Sequence, residues 1–134
     1  MISIIFIILA GILNACMDVL QFKYEFSIFR FWKHQQWINP SKSWKNKWKN
    51  TVELWNDGIR KEKFFGSSTF LVFLTDFWHL CKFLMLLLLA GSVVFYHPII
   101  NWWVDLLLIY SIFTIIFELF YSRILIRKIE NEII

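Results

Sequence analysis

Residues 83–89 read FLMLLLL, a stretch without a polar side chain that decides the fold class of this chain. It lies inside a longer apolar run from about Thr69 to Tyr96, and similar runs cover about 2–22 and about 99–121. Each run has roughly the 20 residues that a helix needs to cross a hydrocarbon layer about 30 Å thick. Lipid-embedded backbone must satisfy its own hydrogen bonds, and no run alternates as barrel strands do, so we predict three transmembrane helices.

The composition of the 134 residues favours the same fold class, because 58% are hydrophobic, 20% are aromatic and the mean hydropathy is +0.55. A soluble domain is about half apolar, and one of this size could not bury such long runs in its core. We therefore predict an all-α integral membrane fold in one membrane domain, with an amphipathic interfacial segment in the loop between the first and second helices. The predicted parts are helix 1 at about 2–31, a basic Trp-rich loop at about 32–67, helix 2 at about 68–96 and helix 3 at about 99–127.

The two cysteines, Cys16 and Cys81, both fall in apolar runs and have no metal-binding spacing, so we predict buried thiols. Residues 13–16 also have the outline of a lipoprotein cleavage box, which would make Cys16 a lipidated first residue. No basic residue precedes them, as one would in a signal peptide. We therefore favour a first helix that is not cleaved off.

The distribution of Lys and Arg predicts the orientation of the helices. No basic residue precedes the first run, the 96–101 turn has none, and residues 30–67 carry nine basic and three acidic side chains, a net charge of +6. Cytoplasmic segments are enriched in Lys and Arg, so we predict an outer N-terminus with the loop and the C-terminus in the cytoplasm.

The loop itself has tryptophans at intervals of seven, four and seven residues, which are Trp37, Trp44, Trp48 and Trp55. On one helix these rings would form a single stripe bordered by lysines, typical of a segment that lies among anionic lipid head groups. The predicted lipid- or phosphate-binding residues are Lys42, Lys45, Lys47, Lys49, Lys82, Trp44 and Trp48. A plain solvated loop remains open, and nucleic-acid binding is disfavoured because the lipid surface is adjacent.

Polar side chains within the helices form the second candidate site. Three sets recur at helical spacing: Asn14, Asp18, Gln21 and Glu25; Thr75, Asp76, His79 and Lys82; Thr114, Glu118 and Ser122. Ionisable side chains inside a membrane are energetically costly, so they indicate either a functional site or ion pairs that only stabilise helix packing. We predict a polar layer about 10 Å below the midplane in the cytoplasmic leaflet.

If this layer is catalytic, its candidate residues are His79, Asp76, Asp18 and Glu118. His79 would act as general acid or base, oriented by an aspartate, on a lipid head group. Asp76 and His79 could hold a metal with Asp18 or Glu118 as third ligand, but the spacing is weakly specific. We predict no metal, and the sequence identifies no cofactor.

The order of several motifs resembles that of a group of uncharacterised small bacterial and phage membrane proteins. The motifs are MDVLQF at 17–22, WINP at 37–40, SWKNKWKN at 43–50, FGSST at 65–69 and TDFWH at 75–79, so the resemblance covers roughly residues 10–90. It implies a bacterial inner membrane location and carries no function.

Three functions remain open from the sequence. The first is a non-enzymatic subunit or a partner- or lipid-binding module. The second is a membrane-embedded enzyme acting on a phospholipid or lipid-linked phosphate at the cytoplasmic leaflet, and the third is a holin-like pore former. The predicted partners are the lipid bilayer with its anionic head groups and a membrane protein or a second copy of the chain, with no nucleic acid.

Overall fold

The computed structural model describes residues 2–49 and 60–127, and within these ranges the ordered elements are helices, turns and two isolated backbone bridges. The helices are α1 (Ile2–Phe22), α2 (Gln35–Ile38), α3 (Pro40–Ser43), α4 (Phe77–Val94) and α5 (Trp102–Leu119), which continues as a π-helical turn over Phe120–Ile124. Short 3₁₀ turns cover Tyr24–Phe26, Ile28–Phe31, Trp44–Lys47 and Val72–Leu74.

Three of these helices are long and apolar enough to cross a membrane, namely Ile2–Phe22, Phe77–Val94 and Trp102–Ile124. This result confirms the three long apolar helices predicted from the sequence. The first is the central one, since 44% of its span is buried against 11% and 6% for the other two. Helices α4 and α5 both pack on α1.

Close contacts fix how α1 meets its neighbours. The Ser3 hydroxyl donates to the carbonyl of Ser92 over 3.0 Å, so the start of α1 lies beside the end of α4 and the two helices run antiparallel. Gly11 allows α5 to approach closely, because a Cβ there would lie 3.1 Å from the carbonyl oxygen of Phe113. Cys16 and Cys81 are buried in the core cluster, which confirms the predicted buried thiols.

The turn between α4 and α5 is organised by Asp105, which is only 1% exposed. Its carboxylate accepts hydrogen bonds from the Tyr96 hydroxyl (2.6 Å), the Ile99 amide (2.8 Å) and the Ile100 amide (3.2 Å). Asn101 caps α5 by accepting from the amide of Val104. The hydrogen bond to Asp105 raises the pKa of the Tyr96 hydroxyl above its usual 10.0.

A backbone seam joins the two chain segments at the opposite end of the bundle. Residues 26–28 follow α1 and residues 125–127 follow α5, and Ser27 and Ile126 form an antiparallel bridge. The Ile28 amide donates to the Leu125 carbonyl (3.0 Å) and the Arg127 amide to the Phe26 carbonyl (2.9 Å). The loop and the described end of α5 therefore share one end of the bundle, and the start of α1 shares the other with the 95–101 turn.

The first long helix ends at Phe22, nine residues before the predicted end at about 31. The chain leaves the helix at Lys23, and Ser27 is extended (φ −95°, ψ 160°) with its hydroxyl donating to the Tyr24 carbonyl over 2.7 Å. Such local hydrogen bonds compete with helical ones. Glu25 consequently lies beyond the helix rather than on its polar face, and its carboxylate pairs with Arg30 at 3.5 Å.

The second long helix begins at Phe77 rather than at about 68, and the third ends at Ile124 rather than at about 127. Gly66 has a φ of +77° that favours glycine, and it starts a turn that keeps the backbone before Asp76 out of a regular helix. Thr75 and Asp76 therefore precede α4, whereas His79 and Lys82 lie on it.

The predicted tryptophan stripe on one loop helix is wrong for the described part of the loop. The backbone is extended at Asn39 (ψ 118°) and at Trp48 (ψ 152°), so Trp37 lies on α2, Trp44 begins a separate 3₁₀ turn, and Trp48 ends that turn in extended backbone. The Asn39 side chain accepts from the Ser41 amide, and Pro40 takes the first position of α3, which starts a new helix there. Trp55 lies outside the described residues.

The turn after the loop depends on the Glu62 carboxylate, which accepts from the Gly66 amide (3.0 Å), the Ser68 amide (3.1 Å) and the Ser68 hydroxyl. The Ser68 hydroxyl and these amides lower the pKa of Glu62 below its usual 4.5. A lowered pKa means that the stabilisation is present above the unfolded pKa and is lost as pH falls through the folded one.

We therefore expect the Gly66 and Ser68 amide resonances to shift when pH is lowered from about 6 to about 3, with a midpoint below that of a free glutamate. In Glu62→Gln the resonances should lack this transition. Glu25→Gln, which changes a carboxylate paired with Arg30, is the control and should keep it. An unchanged transition in Glu62→Gln would rule out this role of Glu62.

A candidate site at the start of helix α4

Asp76 forms the start of α4 and the base of the candidate site. Its backbone is extended (φ −157°, ψ 161°), and its side chain accepts from the His79 amide over 2.9 Å, as an N-cap does. The Thr75 hydroxyl lies 3.2 Å from the other carboxylate oxygen. Asp76 is only 3% exposed, so its carboxylate is fixed in position by its neighbours.

The same carboxylate holds the His79 ring, whose Nδ1 lies 2.8 and 2.7 Å from the two oxygens of Asp76. Such a contact favours the tautomer with the proton on Nδ1 and leaves the lone pair on Nε2. The His79 side chain is 26% exposed, against 4% for that of Asp76. The pair can therefore exchange protons with a ligand at the imidazole while the carboxylate stays covered.

A cleft of about 220 Å³ opens beside this pair, between α4, the end of α1 and the loop helices. Its polar lining residues are Gln21, Ser43, Asp76 and His79. Its apolar lining residues are Ile38, Pro40, Trp44 and Trp78. Ligand sites of this kind combine apolar walls with a few convergent polar groups.

Asn46 ties the loop to the start of α4. Its amide nitrogen donates to the Thr75 carbonyl (2.9 Å) and to the Gln36 carbonyl (2.8 Å), and its oxygen accepts from the Gln36 side chain (3.1 Å). Thr75 directly precedes Asp76, so the loop helices are positioned over the Asp76–His79 pair.

Trp78 provides a polar atom without a partner. Its indole Nε1 is buried, and no acceptor for it lies among the described residues. Its ring is 4.9 Å from the His79 ring, and the Lys82 ammonium lies 5.2 Å from its centre. A buried N–H without an acceptor is costly and calls for a specific explanation, such as a ligand oxygen.

Of the four predicted catalytic residues, the structure brings together Asp76 and His79. Asp18 is half-buried on α1 and Glu118 is exposed on α5, and neither lines the cleft. Ser122 donates to the Glu118 carboxylate, and the Thr114 hydroxyl donates to the Tyr110 carbonyl, so these polar groups are satisfied within their own helix. Within 2–49 and 60–127, no three His, Cys, Asp or Glu residues form a metal-binding group.

Six of the seven predicted lipid-binding residues lie on the loop, and the seventh, Lys82, is exposed on α4. Lys42, Lys45 and Lys49 are exposed, and Lys47 and Trp48 are half-buried. The backbone of 47–49 pairs with that of 61–63, where the Lys49 amide donates to the Lys61 carbonyl and the Lys63 amide to the Lys47 carbonyl, both over 2.9 Å. This pairing brings basic side chains of two chain segments together on one surface.

Three residues that line the cleft or organise a turn were not among the candidates predicted from the sequence. Ser43 and Trp78 line the cleft, and Asp105 organises the opposite turn. The Trp78 position inside the Asp76–His79 spacing was a usable signal. Ser43 was not predictable in this way, because the folding of the loop brings it to the same cleft as His79.

Comparisons with protein-family models, with curated proteins and with solved structures find no match for this chain.

Proposed function

We propose that the chain is an integral membrane protein that crosses the bilayer three times and binds the polar head group of a lipid or lipid-linked molecule in the Asp76–His79 cleft. The main support for insertion is the set of large apolar side chains exposed on α4 and α5. Val94 is 78% exposed and Leu107 and Tyr110 are each 67% exposed. Soluble proteins rarely present apolar faces of this extent to water, whereas lipid covers them at no cost.

The proposed orientation places the cleft in the cytoplasmic leaflet. The basic loop lies at the cleft end of the bundle, and cytoplasmic segments are enriched in Lys and Arg. Each basic residue near an anionic surface adds about 1 kcal/mol of attraction, so the exposed lysines of the loop favour anionic lipid beside the cleft. This surface is the proposed interfacial part of the loop, and a bacterial inner membrane is the proposed location.

The observation that carries the head-group proposal is the buried Trp78 indole N–H. The cleft lies where the apolar helix α4 meets the polar loop, and the proposed orientation would put it at the depth of the lipid head groups and ester groups. Trp78 lines the cleft, a ligand oxygen that reached its buried Nε1 would satisfy it, and the Lys82 ammonium 5.2 Å from the centre of the same ring would favour an anionic ligand. Trp44 adds a second ring for the apolar part of the molecule.

The Asp76–His79 pair supports a second candidate, an enzyme acting on the bound lipid. A histidine whose Nδ1 is held by a buried carboxylate is suited to accept and return a proton at Nε2. In a non-enzymatic binding module, the Asp76–His79 pair would only contact the bound molecule and would transfer no proton. The two candidates share the same cleft and differ in whether the bound molecule is changed.

Replacing Trp78 with phenylalanine tests the proposed binding site. The variant removes the N–H and keeps an aromatic ring, so stability should change by no more than about 1 kcal/mol, because loss of an unsatisfied donor offsets loss of packing. Lipid retention in protein released from nanodiscs with anionic phosphatidylglycerol should fall at least several-fold by native mass spectrometry.

Trp102→Phe is the matched control, since Trp102 is 61% exposed at the other end of the bundle. It should retain as much lipid as the unchanged protein. Equal retention in Trp78→Phe, His79→Ala and the unchanged protein would show that the cleft is not a lipid site. Insertion itself is tested by protection of α4 cysteine variants from a water-soluble thiol reagent.

A further inference from the structure

We propose that the cleft is an ester-hydrolase site in which Ser43 is the nucleophile, His79 the general base and Asp76 the residue that orients His79. This inference rests on the proposed lipid-binding function and adds to it a reaction and a substrate class, the acyl ester of a membrane lipid. It is carried by three side chains from two distant parts of the sequence that line one cleft.

Ser43 lines the cleft together with His79 and Asp76. It is the last residue of α3, only 5% exposed, and its amide donates to the Asn39 carbonyl over 2.8 Å. The Asn46 contacts with Thr75 hold this part of the loop over the start of α4. No hydrogen bond joins Ser43 and His79 in the described structure, and contacts of this kind tighten when substrate is bound.

The other hydroxyl and thiol groups near His79 are engaged or enclosed. The Thr75 hydroxyl donates to the Val72 carbonyl over 2.7 Å. Cys81 is 1% exposed and belongs to the core cluster. Ser43 is therefore the nucleophilic side chain that borders the cleft together with the imidazole.

The reaction proceeds in two balanced steps. The Ser43 Oγ attacks the ester carbonyl carbon and its proton passes to His79 Nε2. The bond from that carbon to the ester oxygen breaks, and the alcohol leaves with the proton. Water then attacks the acyl-serine and gives a proton to Nε2, and the proton returns to Ser43 as the carboxylic acid is released.

The charge of the cleft favours an acyl ester over a phosphate at the reacting position. Asp76 places a carboxylate directly behind His79, and a phosphoryl group there would meet a like charge. A neutral ester carbonyl avoids this repulsion. The Lys82 ammonium, beside the Trp78 ring, lies on the same helix and suits the anionic head group of the same lipid.

A fluorophosphonate probe, which forms a bond only with activated serines, tests the proposal on the full chain in nanodiscs. We expect Ser43 to be labelled, as mapped by peptide mass spectrometry. Labelling should disappear in Ser43→Ala and become at least 100-fold slower in His79→Ala. Ser41→Ala is the matched control, because Ser41 is an exposed serine two residues before Ser43 on the same helix, and labelling of this variant should be unchanged.

The outcomes separate this inference from the proposed function. Lipid retained in the cleft without labelling of Ser43, or labelling at another serine, would overturn the hydrolase and leave the binding site standing. Equal lipid retention in Trp78→Phe, His79→Ala and the unchanged protein, together with no labelling of Ser43, would overturn both. If Ser43→Ala does not fold, the position of the label on the unchanged protein decides the question alone.

Discussion

Asp76→Asn is expected to slow fluorophosphonate labelling at least 100-fold while the protein remains folded. Asparagine is as good an N-cap as aspartate, so α4 should still begin at Phe77. Its amide cannot hold the His79 Nδ1–H with two anionic oxygens as Asp76 does at 2.8 and 2.7 Å. A carboxylate that fixes the histidine tautomer is worth orders of magnitude in catalysis of this kind.

Asp76→Ala should combine that loss with a loss of stability. Removal of an N-cap side chain costs about 1 kcal/mol, and the start of α4 would lose its contact with the His79 amide. Equilibrium unfolding in mixed micelles measures this cost, and labelling measures the functional effect on the same sample.

Asn101→Ala is the matched control for these variants. Asn101 caps α5 with the same backbone angles as Asp76, φ −157° and ψ 161°, and lies at the opposite end of the bundle. It should lose a similar stability and keep full labelling and lipid retention. If Asn101→Ala and Asp76→Asn affect labelling equally, the Asp76–His79 pair has only a capping role.

Asp105→Ala is expected to cause a large loss of stability. The buried carboxylate accepts three hydrogen bonds, and its removal leaves the Ile99 and Ile100 amides and the Tyr96 hydroxyl without their acceptor. We expect the melting temperature of the detergent-solubilised protein to fall by roughly 10 °C.

Tyr96→Phe removes one of these three hydrogen bonds and should cause a clearly smaller fall. Glu118→Ala, which removes an exposed carboxylate from the same helix, should leave the melting temperature nearly unchanged. The cleft lies at the other end of the bundle, so folded Asp105→Ala protein should still retain lipid. A melting temperature within about 2 °C of the unchanged protein would exclude the proposed role of Asp105.

The long helices were predictable because each apolar run is about as long as a helix needs to be to cross a bilayer. The positions at which these helices begin and end were not predictable, because they depend on single residues. A hydrophobicity pattern continues through 68–76, but Gly66 and the Asp76 cap delay the helix to Phe77. The tryptophan spacing suggested one loop helix, whereas the extended backbone at Asn39 and Trp48 divides it.

The candidate site was predictable only where its residues lie within one helical turn. Asp76 and His79 are three residues apart and meet through the geometry of the helix start. Asp18 and Glu118 were added on an estimate of common depth, and depth does not specify which way a helix face points. Ser43 reaches the cleft through contacts of Asn46, which no spacing in the sequence indicates.

The backbone seam between residues 26–28 and 125–127 has a consequence for biosynthesis. The first segment of the seam follows α1 and is made early, and the second follows α5 and is among the last described residues to be made. Until then the Phe26 carbonyl and the Ile28 amide lack their partners across the seam. The segment that follows α1 therefore gains its last backbone hydrogen bonds only when translation has passed residue 127.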